Sequence, residues 1–300
     1  MKNKEMKIAF KLTVLLAFTI IAVLLLSSCS TVMELEYEPM LDGSYRVSLG
    51  STENPSKVII PEIYNGKPVT KISIQPGDPI EAETVIIPPT VKEVTSQTLS
   101  RFTKAFEIED GVTYVSGWAI DCQPGIYNIR LREGTIGIAG EFLRNNPQAT
   151  TLECPTSLRY LASYALSSSA LKSIILGEGV EYIGSSAFFH CTRLETLVIP
   201  DSVPTLPSFA FVSCTSLKRL VIPTSITELS PEMFRNCPEE LTFFYRGTEE
   251  EFGKINLVYS PEYKPLSTYN RCYYSQKEPT ENKDKYWFYF DGYPLLCSEY

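Results

Sequence analysis

Eight cysteines and a single histidine, His190, are the residues whose chemistry stands out in this chain of 300. His190 precedes Cys191, but neighbouring side chains diverge, so the two do not make a nucleophile and its base. A lone histidine also excludes multi-histidine metal sites and most histidine-centred catalysis. Cys191, Cys214 and Cys237 recur every 23 residues, in a column that holds Asn146 and Ser169 further upstream. Residues one repeat apart form a line, whereas metal ligands converge on a point, so this column reads as buried, reduced thiols. Cys272 and Cys297 flank an aromatic C-terminal segment and are either bridged or two separate, partly buried thiols. Glu249-Glu250-Glu251 reads as the solvated first turn of a helix starting at Thr248, where the helix dipole favours carboxylates. With no phosphate-binding glycine loop and no paired carboxylates at interpretable spacing, the chain reads as non-catalytic, without metal or cofactor.

Cys29 has a separate meaning. A basic start, MKNKEMKIAFK, leads into an apolar run from Leu12 to Leu26. That run falls short of the roughly 20 residues that span a bilayer, so 1–28 reads as a signal segment. Leu26-Ser27-Ser28-Cys29 resembles the bacterial lipobox, which implies cleavage before Cys29 and its acylation; a plain signal peptide or anchor with an incidental cysteine is the alternative. Buried lipid methylenes contribute about 0.8 kcal/mol each, enough for firm retention with more than one chain. Residues 29–36 are then a lipidated tether of roughly 20 Å, at about 3.3 Å per residue. The protein is expected to be exported and anchored on the outer side of a bacterial membrane. The net charge is −8, and losing the lysine-rich leader makes the remainder more acidic, which disfavours nucleic acid as a partner.

The elements that carry these residues come from one repeat. LKSIILGEGVEYIGSSAFFHCTR, LETLVIPDSVPTLPSFAFVSCTS and LKRLVIPTSITELSPEMFRNCPE align without gaps from Leu171, Leu194 and Leu217. An apolar anchor recurs at Ile60, Ile87, Ile108, Leu131, Cys154, Leu176, Ile199, Ile222 and Tyr245. The longest step, after Ile60, holds Asn65-Gly66, suited to an inserted hairpin. Two residues before each anchor stand Val58, Val85, Phe106, Ile129, Leu152, Ile174, Leu197, Leu220 and Phe243, again all apolar. Units this small cannot bury their apolar face alone, so neighbours must stack and share one core.

These letters resemble the BspA-like leucine-rich repeat family, whose units read roughly LxxIxIPxSVxxIGxxAFxxCxx. The match is strong from about Leu152 to Tyr245 and weaker from Ile60 to Asn146. The resemblance implies an α/β repeat solenoid: a right-handed superhelix with a parallel strand ladder, short helical or 3₁₀ turns opposite, and capping hairpins. Residues 37–57 are expected to form an N-terminal cap, with a hairpin at Asp42-Gly43. Residues 58–247 would form a solenoid of about nine coils, and 248–300 a C-terminal cap with a Tyr-rich hairpin. It further implies a role in extracellular recognition.

The outward side of the ladder is where recognition is expected. One residue before each anchor gives Ile59, Ile86, Glu107, Arg130, Glu153, Ile175, Val198, Val221 and Phe244. Glu107, Arg130 and Glu153 should pair across adjacent strands for about 0.2–1 kcal/mol each. Ile175, Val198, Val221 and Phe244, beside Ser173, Thr196 and Arg219, form the candidate ligand-binding face, an exposed apolar patch. β-propensity alone would place branched residues there as well. The expected partner is an extracellular protein or cell-surface ligand met by this face. The alternatives are a structural part of a surface complex, contacted through the tail, and a glycan binder using Trp287, Tyr289 and Tyr293.

Overall fold

A computed structural model describes residues 35–49, 55–73, 78–275, 281–290 and 293–297. The signal segment 1–28 and Cys29 lie outside the described residues.

Each repeat makes one coil. Its strand is three residues long and buries the middle one: Leu152, Ile174 and Leu197 are inside, while their neighbours face outward. Strands from successive coils pair in parallel, so that Ile129, Leu152, Ile174, Leu197, Leu220 and Phe243 form one inward row. The C-terminal segment lengthens this front ladder with Asn270–Tyr274, Tyr286–Phe290 and, antiparallel, Tyr293–Leu296.

Seven residues after the anchor the chain turns again and forms a second parallel ladder. It runs through Trp118–Cys122, Gly137–Ile138, Tyr160–Leu161 and Tyr182–Ile183. The third side is the Ala-Phe segment, bounded in several coils by left-handed residues. Glu141, Tyr164, Ser186 and Phe209 lie at φ of 64, 61, 58 and 64°, and Ser168, His190, Ser213 and Asn236 at 59, 59, 62 and 61°. Two such corners four residues apart leave no room for a helix to propagate. Among the described residues the α-helices are the four-residue turns Ser96–Leu99 and Glu249–Phe252. The solenoid is therefore built mostly of strands, and "α/β" describes it only loosely.

Coils share their core. Phe188, Phe211 and Phe234 stack with centroids 5.7 Å apart at both steps. The cysteine column joins neighbouring turns. The thiols of Cys191, Cys214 and Cys237 donate to the carbonyls of Leu166, Phe188 and Phe211, each at 3.1 Å. The Phe188 and Phe211 carbonyls also accept the backbone N–H of Cys191 and Cys214, at 3.2 and 3.1 Å, so each thiol adds a second donor that ties one coil to the next.

The N-terminal half departs from the expected register. Leu35–Pro39 and Tyr45–Leu49 form a hairpin, and Asn65-Gly66 turns a second one at φ of 49 and 76°. Lys57–Ile59 pairs in parallel with Thr84–Ile86. The single ladder expected from Val58 to Phe243 then breaks. Glu107–Glu109 pairs antiparallel with Val112–Val115, which pairs with Trp118–Cys122. Ile108, read as a buried anchor, is 60% exposed. The cause is local: Asp110-Gly111 and Ser116-Gly117 both hold consecutive positive φ values, the geometry of two-residue hairpin turns. Those turns outcompete the coil register. Glu107 consequently meets Arg132, at 2.6 Å, in place of Arg130, while Arg130 and Glu153 do face each other at 3.5 Å.

Candidate functional site

The front ladder presents its outward side in two parts. From Asn128 to Thr196 the surface is open. Ile175 is 58% exposed, Ser173, Thr196 and Val198 are half-buried beside it, and Thr151 Oγ1 donates to Asn128 Oδ1 at 2.8 Å.

The other part is covered. Val221 and Phe244, expected to be exposed, are 0% and 1% exposed. They form a small apolar cluster with Cys272 and Trp287, against which Val198, Tyr289 and Leu296 pack. The Trp287 ring meets Phe244 edge-on at 5.7 Å, and its Nε1–H donates to the Tyr245 carbonyl at 2.9 Å. The physical reason lies in the tail: Tyr286–Phe290 places Trp287 and Tyr289 on one side of a strand. Those rings must be buried, and the apolar row of the preceding coils is the surface beside them. The candidate face therefore shrinks to Ile175, Val198, Ser173, Thr196 and the half-buried Arg219.

A charged clasp marks the boundary. The Arg246 guanidinium reaches back to Glu178 at 3.2 Å and Asp201 at 2.9 Å. It also donates to the Tyr289 hydroxyl through Nε at 3.0 Å and Nη2 at 2.7 Å. With Thr224 and Tyr274 these groups line an open cleft of about 350 Å³. Arg246 thus ties three coils to the hairpin. Sequence reasoning missed it because Arg246 stands at the position after the anchor where the preceding coils carry Gly177, Pro200 and Pro223, and its partners lie on other coils and on the hairpin.

The other chemistry-bearing residues have structural roles in view. His190 is exposed on a left-handed corner, its N–H donating to the Val212 carbonyl at 2.8 Å; histidine is among the residues enriched in that conformation. Thr248 forms a capping box with Glu251, and Glu249 and Glu250 meet Lys285 and Lys254, each at 3.0 Å. Burial pushes the Cys191 and Cys214 thiols upward and the Cys237 thiol up to about 12. Cys272, on the strand Asn270–Tyr274 beside the terminal hairpin, and Cys297, at the hairpin's end, are both buried; they are not bridged to each other, and the Cys272 thiol donates to the Asp284 carbonyl at 3.2 Å. The Tyr293 side chain lies outside the described residues. Among the described residues no group of three metal-ligating side chains converges, and no helix is long and apolar enough to cross a membrane.

The sequence profile of the "BspA type Leucine rich repeat region (6 copies)" matches residues 79–180 and 138–254, more than half the chain. The protein belongs to the BspA-type leucine-rich repeat family. Its fold is shared by the pneumococcal vaccine antigen PcpA, at 17% identity and a TM-score of 0.51, over 73% of this chain and 63% of that one. The leucine-rich repeat protein TpLRR of T. pallidum is 18% identical, with a TM-score of 0.39 over 70% of this chain and 78% of its own. A leucine-rich repeat protein from Bacteroides ovatus is 22% identical, with a TM-score of 0.36 over 72% and 55%. No curated protein matches the sequence. At such identities the likeness speaks to fold alone. BspA-type repeats are typically non-catalytic binding modules, and nothing in the matches points to an enzyme.

Proposed function

We propose that this BspA-type protein is an exported, non-catalytic recognition or adhesion protein. It is held at a bacterial surface through a lipidated Cys29 and binds an extracellular protein or cell-surface ligand with its front ladder. The binding surface is the open part of that ladder, centred on Ile175 and flanked by Ser173, Thr196, Val198 and Arg219. One observation carries the reading: the neighbouring part of the same face already holds a ligand of known chemistry, the chain's own hairpin. Trp287 and Tyr289 seat on Val221 and Phe244, so the apolar row accepts an aromatic-bearing strand. Ile175 continues that row, one strand beyond Val198, and is exposed. Because Trp287 is fully buried here, the alternative in which the tail makes the outward contacts loses its largest side chain.

The test is a pull-down from host and bacterial surface extracts with the parent chain and with Ile175→Glu/Thr196→Glu. The parent should retain specific bands, and the variant should lose them while melting within a degree or two of the parent. Identical bands from both proteins would refute the ladder as the binding surface. For the anchor, Cys29→Ser should move the protein from the membrane fraction to the soluble one; continued sedimentation would refute lipidation.

A further inference from the structure

The third side of the solenoid, opposite neither ladder's outward row, carries an anomaly. The left-handed corner that opens each Ala-Phe turn is met cheaply by glycine, asparagine or a small polar residue, and Ser186 fills it in one coil. In the coils on either side of Ser186 the same corner holds Tyr164 and Phe209, at φ of 61 and 64°. A bulky ring in that conformation is a true outlier, and such outliers cluster at functional sites. Neither ring is used by the core: Tyr164 is 48% and Phe209 37% exposed. Both the backbone and the exposed ring therefore cost stability at a position where serine is tolerated.

The surroundings are as unusual. The chain carries a net charge of −8, yet the stretches 160–171, 182–192 and 202–217 contain no Asp, Glu, Lys or Arg. The turns on both flanks are charged, with Glu141 and Arg144 on one side and Glu232 and Arg235 on the other. Between them the coils' own residues make a neutral strip three coils wide, bordered on the second-ladder side by Glu93, which accepts from Ser163 and Tyr182, and by Lys92 over the Tyr182 ring. Its exposed surface is rings and hydroxyls: Tyr164 meets Phe189 edge-on at 6.4 Å, and Ser168, Ser208 and His190 are exposed beside them. Tyr164 and Phe209 are two coils apart, roughly 10 Å at the spacing of paired strands.

We propose that this strip binds a neutral glycan, lying across the three coils with sugar faces on Tyr164 and Phe209. Sugars present apolar C–H faces to aromatic rings and a rim of hydroxyls to small polar groups, which is the pairing this surface offers. The strip has no Lys or Arg of its own and is bordered at Ser163 by the Glu93 carboxylate, which argues against phosphorylated, sulfated or carboxylated ligands. The serines interrupting the rings, with no lysine or arginine, argue against a membrane surface. The site is separate from the front ladder.

The test is native affinity electrophoresis of the full chain through gels containing mannan, dextran or β-glucan, with hyaluronan and polygalacturonate as anionic controls. At least one neutral polysaccharide should retard the parent chain. Tyr164→Asn/Phe209→Asn should abolish the retardation and melt at or above the parent temperature, because asparagine relieves the corner. Ile175→Glu should still be retarded, which separates this site from the ladder face. The proposal is overturned if no neutral polysaccharide retards the parent, if only the anionic ones do, or if the double variant is still retarded. A double variant that melts lower than the parent would also overturn it, by making the rings structural.

Discussion

Trp287→Ala tests how the ladder face is partitioned. The indole is fully buried, donates to the Tyr245 carbonyl at 2.9 Å, and contacts the rings of Phe244, Tyr274 and Tyr289 at 5.7, 5.2 and 5.0 Å. Truncating a buried tryptophan to alanine costs about 3–5 kcal/mol, and the lost hydrogen bond about 1 kcal/mol of that total. The hairpin is also held by the parallel pairing of Tyr286 and Trp287 with Tyr273 and Tyr274 and by Tyr286 and Leu296, which pack on the neighbouring apolar clusters. The Lys285–Glu249 pair is more than half exposed at both ends, so solvent screens it and it adds little. The clasp of Arg246 to Tyr289 remains. Losing about 4 kcal/mol from a segment so held should lower its exchange protection by about a thousandfold. Amide hydrogen exchange read by mass spectrometry would resolve this. Peptides covering 281–297 should lose protection first, those covering 219–245 partly, and those covering 129–199 hardly at all. Trp287→Phe, which keeps a ring and loses the N–H donor, should fall between. A uniform loss along the whole ladder, or none in the hairpin, would refute the description of the tail as a separately docked cover.

Two further outcomes follow from the stack. Phe211 lies between the rings of Phe188 and Phe234, while Phe188 has one such neighbour among the described residues. Phe211→Ala should therefore cost more than Phe188→Ala, by about one ring pair or 0.5–1.5 kcal/mol, in urea titrations; equal costs would contradict the shared row. The buried thiols set an alkaline limit. Their folded values lie above the ordinary 9.0, at about 12 for Cys237, so the fold keeps protons that the unfolded chain releases. Stability they contribute is fully present below pH 9.0 and is lost as pH rises toward about 12. Iodoacetamide at pH 8 should leave Cys191, Cys214 and Cys237 unmodified in the folded chain and label all three in urea; rapid labelling of the folded chain would contradict their burial.

The parts legible in sequence were those that repeat. Leu197 and Leu220 could be placed in one row because a coil must bury its apolar side against the next, and the cysteine column could be read as structural because a line cannot chelate. What stayed hidden was set by pairwise competition or by distance. Ile108 fits the apolar column, yet Asp110-Gly111 and Ser116-Gly117 favour hairpins there, and a local turn outweighs a periodic preference. The second ladder at Ile138, Leu161 and Ile183 was visible only as apolar letters, since strands of two residues leave no alternation to read. The left-handed corners were missed because serine, histidine, tyrosine and phenylalanine share no side-chain property; only backbone geometry unites them. The burial of Val221 and Phe244 depended on a segment more than forty residues away. The signal was present in Trp287 and Tyr289, two large rings on one side of a strand with no core of their own.

The stacking of coils into one continuous ladder is tested most directly by a distance. Spin labels on Asn128→Cys and Thr242→Cys, at the first and sixth repeat strands of the front ladder, are separated by five inter-strand steps. Double electron–electron resonance should give a narrow distribution centred near 24 Å between backbones, about 4.8 Å per step, broadened by the label arms. The 113 intervening residues would hold the ends at no such distance without that ladder. A broad distribution, or one centred well beyond that value, would contradict it.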